Sequence, residues 1–231
     1  MVRSPLASVK WQIPATSCLL QASALRQAEV LAPADDNART PETEPPTQPL
    51  HIMRIASPVG AIELVNEPTY SFGSSDNIRR YPLERALADR SLRSSTHGVL
   101  LDGEPAAVVS SSGGASTIHE HSGVVEGGSL YIAVGDSVVC MNLRPFEIKW
   151  SVQVDAATCF GIYFDARHNA LISHGELEIA RLSSDGVILW SQSDADIFSE
   201  GFSILPGYVE AIDFNGQTYR FGYETGLPAD S

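Results

Sequence analysis

Residues 129–150, SLYIAVGDSVVCMNLRPFEIKW, are followed by residues 170–190, ALISHGELEIARLSSDGVILW, and the two stretches align with Trp150 matched to Trp190 and Gly135 matched to Gly175. A third copy, residues 208–228, YVEAIDFNGQTYRFGYETGLP, continues the spacing with Gly216 and ends before a final tryptophan. Self-similarity at a period of about 40 residues marks a chain built by repetition of one small unit. Each copy reads as an apolar strand, a tight turn at glycine, an alternating strand (VVCMNL, LEIARL, TYRFGY), a second turn and a strand running to Trp. In LEIARL, strand geometry puts Leu177, Ile179 and Arg181 on one face and Glu178, Ala180 and Leu182 on the other. The second turn is SSDG from Ser183 to Gly186 and YETG from Tyr223 to Gly226, where glycine supplies the left-handed residue. The first copy carries Arg144-Pro145-Phe146-Glu147 there instead.

These residues resemble the blades of pyrroloquinoline-quinone-type β-propellers, whose repeats run strand, Gly turn, strand, Asp-x-x-x-Gly-x-x-x-Trp. The match is strongest at DGVILW, Asp185 to Trp190, with echoes in FEIKW at Phe146 to Trp150 and in the third copy; Leu182 stands where the family carries Asp. The resemblance covers residues 127–231. It implies an all-β fold of propeller-like antiparallel blades, about three with part of a fourth in residues 96–128, in which the tryptophans dock neighbouring blades. It does not imply the quinone, and no cofactor is expected. A closed propeller needs four to eight blades, so open edges here must be covered by the segment preceding the repeats, by a partner or by a second copy of the chain.

Upstream of the repeats the pattern is less regular. Residues 33–50, PADDNARTPETEPPTQPL, carry five prolines and almost no apolar side chain, which predicts a linker or tail that cannot offset its own ordering entropy. Residues 16–32 have helix-forming composition without a clean apolar stripe. Arg3, Lys10 and Ala22-Ser23-Ala24 sketch a degraded secretory leader, although Pro14, Thr16, Ser17 and Gln21 break its apolar core. An alternative start at Met53 would leave everything before it as extension. The organisation expected is therefore a disordered or targeting extension at 1–52, a β-rich capping region at 53–126 with one short helix, and the propeller-like repeats at 127–231. The helix is expected over Tyr81 to Arg93, with Pro82 in its first turn and Leu83 and Leu87 on one face. Strands at Gly98 to Leu101 and Ala106 to Ser110 should form a hairpin through Asp102-Gly103, followed by a loop, SSSGGAS.

Composition bounds the function. The 231 residues include 15 Lys or Arg against 28 Asp or Glu, a formal net charge of −13, and the few cations are scattered, so nucleic acid is excluded as a partner class. Hydrophobic residues at 43% suffice for a packed core in one or two domains. No apolar run reaches about 18 residues, so no membrane-spanning helix is expected. After Val125 there are 15 acidic and 5 basic residues, and this net −10 discourages edge-to-edge association. The three cysteines, at 18, 140 and 159, form no Cys-x-x-Cys, which points to a reducing, cytoplasmic compartment, with periplasm or secretion as the alternative.

Candidate chemistry is sparse. His119-Glu120-His121, read as alternate residues of a strand, would turn two imidazoles to one side, with a third metal ligand from His174, Glu176 or Asp155. Cys140 and Cys159 lie in apolar sequence and read as small core side chains, the acids near Cys159 having the wrong sign to activate a thiol. Ser110 to Ser112 with Gly113-Gly114 matches neither a nucleophile elbow nor a phosphate loop. Asp194 with Asp196 and Glu210 with Asp213 read as solvated turns rather than acid–base pairs. The leading expectation is a noncatalytic module presenting loops to a protein partner or small-molecule ligand through His121, Asp155, His174, Glu176, Asp196 and Glu200. The alternatives are a metal-dependent hydrolase or lyase built on His119, His121 and His174 and, on resemblance alone, a quinone oxidoreductase. A homodimer that completes the ring is the further partner considered.

Overall fold

In a computed structural model, residues 52–193 and 196–229 are described; the stretch of helix-forming composition at 16–32, the linker and the leader reading lie outside them. The described residues form strands and turns with no helix, arranged as four successive sheets.

The first sheet has five strands: β1 (Ile52–Ser57), β2 (Gly60–Asn66), β3 (Leu83–Ala86), β4 (Ser95–Leu101) and β5 (Glu104–Ser111), in the order β1-β2-β4-β5-β3. The β4–β5 hairpin turns at Asp102-Gly103 as the dipeptide predicts, with φ of +51° and +86°. Residues 81–93 are not helical. Leu83–Ala86 instead runs parallel to β5, with Leu83 opposite Ala107 and Ala86 opposite Ser110. The spacing of Leu83 and Leu87 suited a helix face, but both side chains pack against the core beneath the sheet. The β5 edge supplies the backbone partners, so tertiary pairing overrides a weak local preference.

The second sheet is an antiparallel meander of β6 (Gly123–Glu126), β7 (Ser129–Val134), β8 (Ser137–Leu143) and β9 (Phe146–Gln153). The third repeats it with β10 (Cys159–Asp165), β11 (Ala170–Gly175), β12 (Glu178–Leu182) and β13 (Ile188–Ser193). The fourth has β14 (Gly201–Leu205), β15 (Tyr208–Ile212) and β16 (Thr218–Gly222). The two full repeats share register detail: a bulge falls between Cys140 and Met141 opposite Trp150, and between Arg181 and Leu182 beside Trp190. Such bulges re-aim the neighbouring side chain at a sheet edge.

Three apolar cores lie between consecutive sheets. Ile62, Leu64, Val99 and Val109 of the first sheet meet Leu130, Ile132, Val139 and Met141 of the second. Tyr131, Val138 and Cys140 meet Cys159, Ile162 and Leu171, and Ile172, Ile179 and Trp190 meet Val209, Ala211 and Phe221. Each sheet thus buries one set of alternate residues against its predecessor and the other against its successor, which explains the nearly continuous burial of β7, β8 and β11. This is propeller-like stacking of all-β blades.

The tryptophans occupy matching places in the stack. Trp150 donates its indole N–H to the Ser184 carbonyl at 3.1 Å, and Trp190 donates to the Tyr223 carbonyl at 2.9 Å. Each ring lies on a glycine of the following sheet's second turn. A Cβ on Gly186 would come within 2.6 Å of Trp150, and one on Gly226 within 2.8 Å of Trp190. Both glycines also have positive φ, +81° and +69°, so turn geometry and close approach each require the absence of a side chain.

Both ends of the stack are finished differently. On the far face of the first sheet, Tyr81 lies over Gly98, where a Cβ would come within 2.1 Å of the phenol oxygen, and donates to Glu67 at 2.6 Å. Burial first, then the Glu67 carboxylate, raises that phenol well above its usual range. Arg79 pairs with the same carboxylate at 2.8 Å. The segment between β2 and β4 therefore covers this face. On the fourth sheet, Glu210 and Arg220 sit opposite one another across β15 and β16 and pair at 2.8 Å, with Arg220 over the Tyr208 ring. Its outer edge is partly closed by the C-terminal segment, where the Gly222 amide donates to the Leu227 carbonyl and the Ala229 amide to the Arg220 carbonyl. Edge strands blunted by charge and by backbone cover resist further pairing.

Candidate functional site

The turn that carries His119 to Ser122 leads from the first sheet into β6 of the second and lies against β10 of the third. This turn is not a strand: the Ser122 amide donates to the His119 carbonyl, and the His119 amide donates to the Ser122 hydroxyl at 2.9 Å. The Ile162 amide then donates to the His121 carbonyl, fastening the turn to β10. Gly161 makes that approach possible, because a Cβ there would come within 3.0 Å of His121. His121 is consequently laid over Tyr163, with ring centroids 4.7 Å apart.

The same corner receives the start of the fourth sheet. His174, on β11, stacks on Phe202 of β14 at 4.6 Å and 12°, and Tyr163 meets Phe202 at 4.7 Å. Phe160 closes the group, its ring edge-on to His174 at 5.6 Å. The result is a shallow concavity of about 460 Å³, with His119, Ser199 and Glu200 on its rim. Its surfaces are ring faces and ring edges, and its polar groups stand at the border.

The imidazoles are tied into the backbone. His119 Nε2 bonds to the Phe160 carbonyl at 2.6 Å, while its Nδ1 accepts the His121 amide at 3.2 Å. His174 Nε2 bonds to the Phe198 carbonyl at 2.9 Å. Burial holds His174 down to about 4, against its bond to Phe198 and with help from the facing His121 and His119. It is a neutral donor at physiological pH.

Of the six residues expected to face a ligand, His121, His174 and Glu200 come together here. Asp155 does not reach the surface. It is 2% exposed, and its carboxylate accepts the amides of Ala157, Leu177 and Glu178. Burial nevertheless raises its pKa against those three bonds. It acts as a clasp between the turn after β9 and the β11–β12 turn. Asp196 accepts the Ile197 amide and bonds to Asn215, and Glu176 contributes its backbone to Thr158 and Phe198. Sequence reasoning missed Phe160, Tyr163 and Phe202. A signal existed in Phe160-Gly161 and Gly201-Phe202, aromatic–glycine pairs whose glycines keep the repeat spacing, each at the start of a repeat's first strand.

The metal trio His119, His121 and His174 lines the concavity without forming a ligand set. Among the described residues no group of three or more His, Cys, Asp or Glu is placed to hold a metal ion. The bonds above explain why: His119 has both ring nitrogens engaged and His174 has one. Cys140 and Cys159 are free and fully buried, and burial pushes both thiols up, most strongly Cys159, so neither is a reactive thiolate.

No protein-family model matches the chain, and no curated protein matches it by sequence. Among solved structures, it is similar to BamB from Moraxella catarrhalis, at 16% identity and a TM-score of 0.45, covering 79% of this chain and 60% of that one. It is also similar to a europium-containing methanol dehydrogenase, at 16% identity and a TM-score of 0.39, covering 46% of this chain and 23% of that one. The chain thus spans less than two thirds of either protein. At these scores the likenesses are loose, and the propeller-like assignment rests on the strand order and the shared tryptophan docking described above.

Proposed function

We propose that this chain is a noncatalytic β-repeat module that holds a protein partner at the concavity formed by Phe160, Tyr163, His174 and Phe202. The observation that carries the reading is a group of half-buried, stacked rings lining a concavity between consecutive sheets, with histidines committed to backbone carbonyls rather than to a reacting group. Aromatic surfaces with a polar rim are the usual composition of a binding hot spot. Glu200 and His121 on that rim would orient an incoming side chain, with the rings burying its apolar part. A small-molecule ligand of the same apolar character is the alternative occupant. The test is affinity recovery of partners from cell extract with the full chain and with Phe202→Ala, Tyr163→Ala and, as a control on an exposed aromatic elsewhere, Phe214→Ala. Recovery should fall for the first two and persist for the third. Equal recovery by all three would remove the proposed surface. The hydrolase or lyase alternative is tested by elemental analysis: one zinc, manganese or iron per chain, lost in His119→Ala, would support it over the binding reading.

A further inference from the structure

A second concavity lies far from the first in sequence, between the loop after β2 and the turn before β4. Its volume is about 650 Å³, and its walls are residues 68–74 on one side and Arg90, Arg93, Ser94 and Thr96 on the other. Both walls are braced. The Tyr70 amide donates to the Glu67 carbonyl and the Ser74 amide to the Ser71 carbonyl, while Asn77 bonds to both the amide and the carbonyl of Ser71. Glu84 holds the loop from β3 through the Tyr70 hydroxyl at 2.7 Å and the Gly73 amide at 2.9 Å. That carboxylate is therefore occupied by the loop itself.

Arg93 is fixed in this setting without an acidic partner. Its guanidinium lies 4.6 Å over the Phe72 ring, and its Nε donates to the Ala88 carbonyl at 2.9 Å. The two terminal nitrogens make no hydrogen bond or ion pair with any described residue, and neither does the Arg90 side chain. Among the described residues, Arg54, Arg79, Arg167, Arg181 and Arg220 are each paired with a carboxylate, whereas Arg80, Arg85 and Arg144 share the lack of one; Arg90 and Arg93 differ from these in lining a concavity together. In a chain of net charge −13, and with the Glu84 carboxylate tied to the opposite loop by neutral donors, two guanidiniums without a carboxylate partner stand beside one concavity. One of them is pre-oriented by stacking, so little side-chain entropy remains to be lost on binding. The hydroxyls of Thr69, Ser71 and Ser74 on the opposite wall supply neutral donors.

We infer that this concavity binds a small organic oxyanion, a carboxylate or phosphate ester, with Arg93 giving a two-pronged contact from its terminal nitrogens and Arg90 adding charge from the rim. A planar guanidinium with its outer N–H groups free matches the paired oxygens of such groups. The test is calorimetric titration of the full chain with succinate and, separately, with inorganic phosphate, which distinguishes the two oxyanion chemistries. One of them should bind one-to-one, weaken about tenfold or more in Arg93→Gln, and weaken less in Arg93→Lys, which keeps the charge without the fork. Arg54→Gln should leave binding unchanged. If Arg93→Gln lowers the melting temperature, Arg90→Gln decides, because that side chain supports nothing else. Absence of saturable binding by either probe, or binding unaltered in both glutamine variants, would overturn the inference.

Discussion

Acidification from pH 8 to pH 4.5 should destabilise this protein largely through two imidazoles, before most carboxylates titrate. His97 is 1% exposed within the first sheet, with Nε2 at 3.0 Å from the Ser116 hydroxyl, and burial holds it down to about 4 from 6.5. His174 is held down to about 4 as well, again by burial first. The folded chain keeps both rings neutral where the unfolded chain protonates them, so the unfolded state binds more protons as pH falls through 6.5. The part of the stability these two rings govern is therefore complete above about pH 6.5, declines between 6.5 and about 4, and changes no further below, where the depressed carboxyl of Asp165 begins to take its own share. At about 1.36 kcal/mol per pH unit for each proton, each ring removes about 3 kcal/mol across that window. The sum of roughly 6 kcal/mol rivals the lower part of the usual stability range. Asp155 works in the opposite direction, since its raised pKa lets the folded chain take a proton first, but only near the carboxylate range. Urea midpoints measured at half-unit steps from pH 8 to pH 4.5 should fall steeply below 6.5, and His174→Gln should remove about half of the slope. Equal stability at pH 7.5 and pH 5 would refute the assignment of neutral, buried rings.

Other expectations follow from the contacts between sheets. Gly226→Ala should cost about 2–5 kcal/mol, from left-handed strain and from overpacking against Trp190, and Gly186→Ala should act similarly on Trp150; thermal melts would show a fall of about 2–4 °C per kcal/mol. Asp155→Ala strands the amides of Ala157, Leu177 and Glu178 and should cost about 2–4 kcal/mol in urea unfolding, with Asp155→Asn milder because it retains an acceptor. Tyr81→Phe should cost about 1–2 kcal/mol by removing the hydroxyl bonded to Glu67, leaving the Arg79 pair in place. That smaller loss would appear as a lower urea midpoint with unchanged slope.

The second half of the fold was legible because its glycines and tryptophans have mechanical jobs. Gly186 and Gly226 must lack a side chain where an indole rests, and that requirement leaves a regular spacing visible in the sequence. The first sheet hid its kinship because its corresponding turn holds no tryptophan docking and because the long β2–β4 connection interrupts the meander. Residues 81–93 misled for a related reason: Leu83 and Leu87 face a core shared with the second sheet, a fact of tertiary packing that local spacing cannot carry. The aromatic concavity was half visible. His121, His174 and Glu200 could be placed near turns from strand boundaries, whereas stacking of Tyr163 and Phe202 depends on how far one sheet is rotated past the next. Asp155 looked like a surface acid because turns are usually exposed, yet three amides converge on it.

The most direct test of consecutive sheets locked by equivalent indoles is fluorine NMR of the chain carrying 5-fluorotryptophan. Assignment by Trp150→Phe and Trp190→Phe should show Gly186→Ala displacing only the Trp150 resonance and Gly226→Ala only that of Trp190. If either alanine leaves its own tryptophan unmoved, or shifts the other one instead, the two rings do not rest on the turns of successive sheets and the stacked arrangement is wrong.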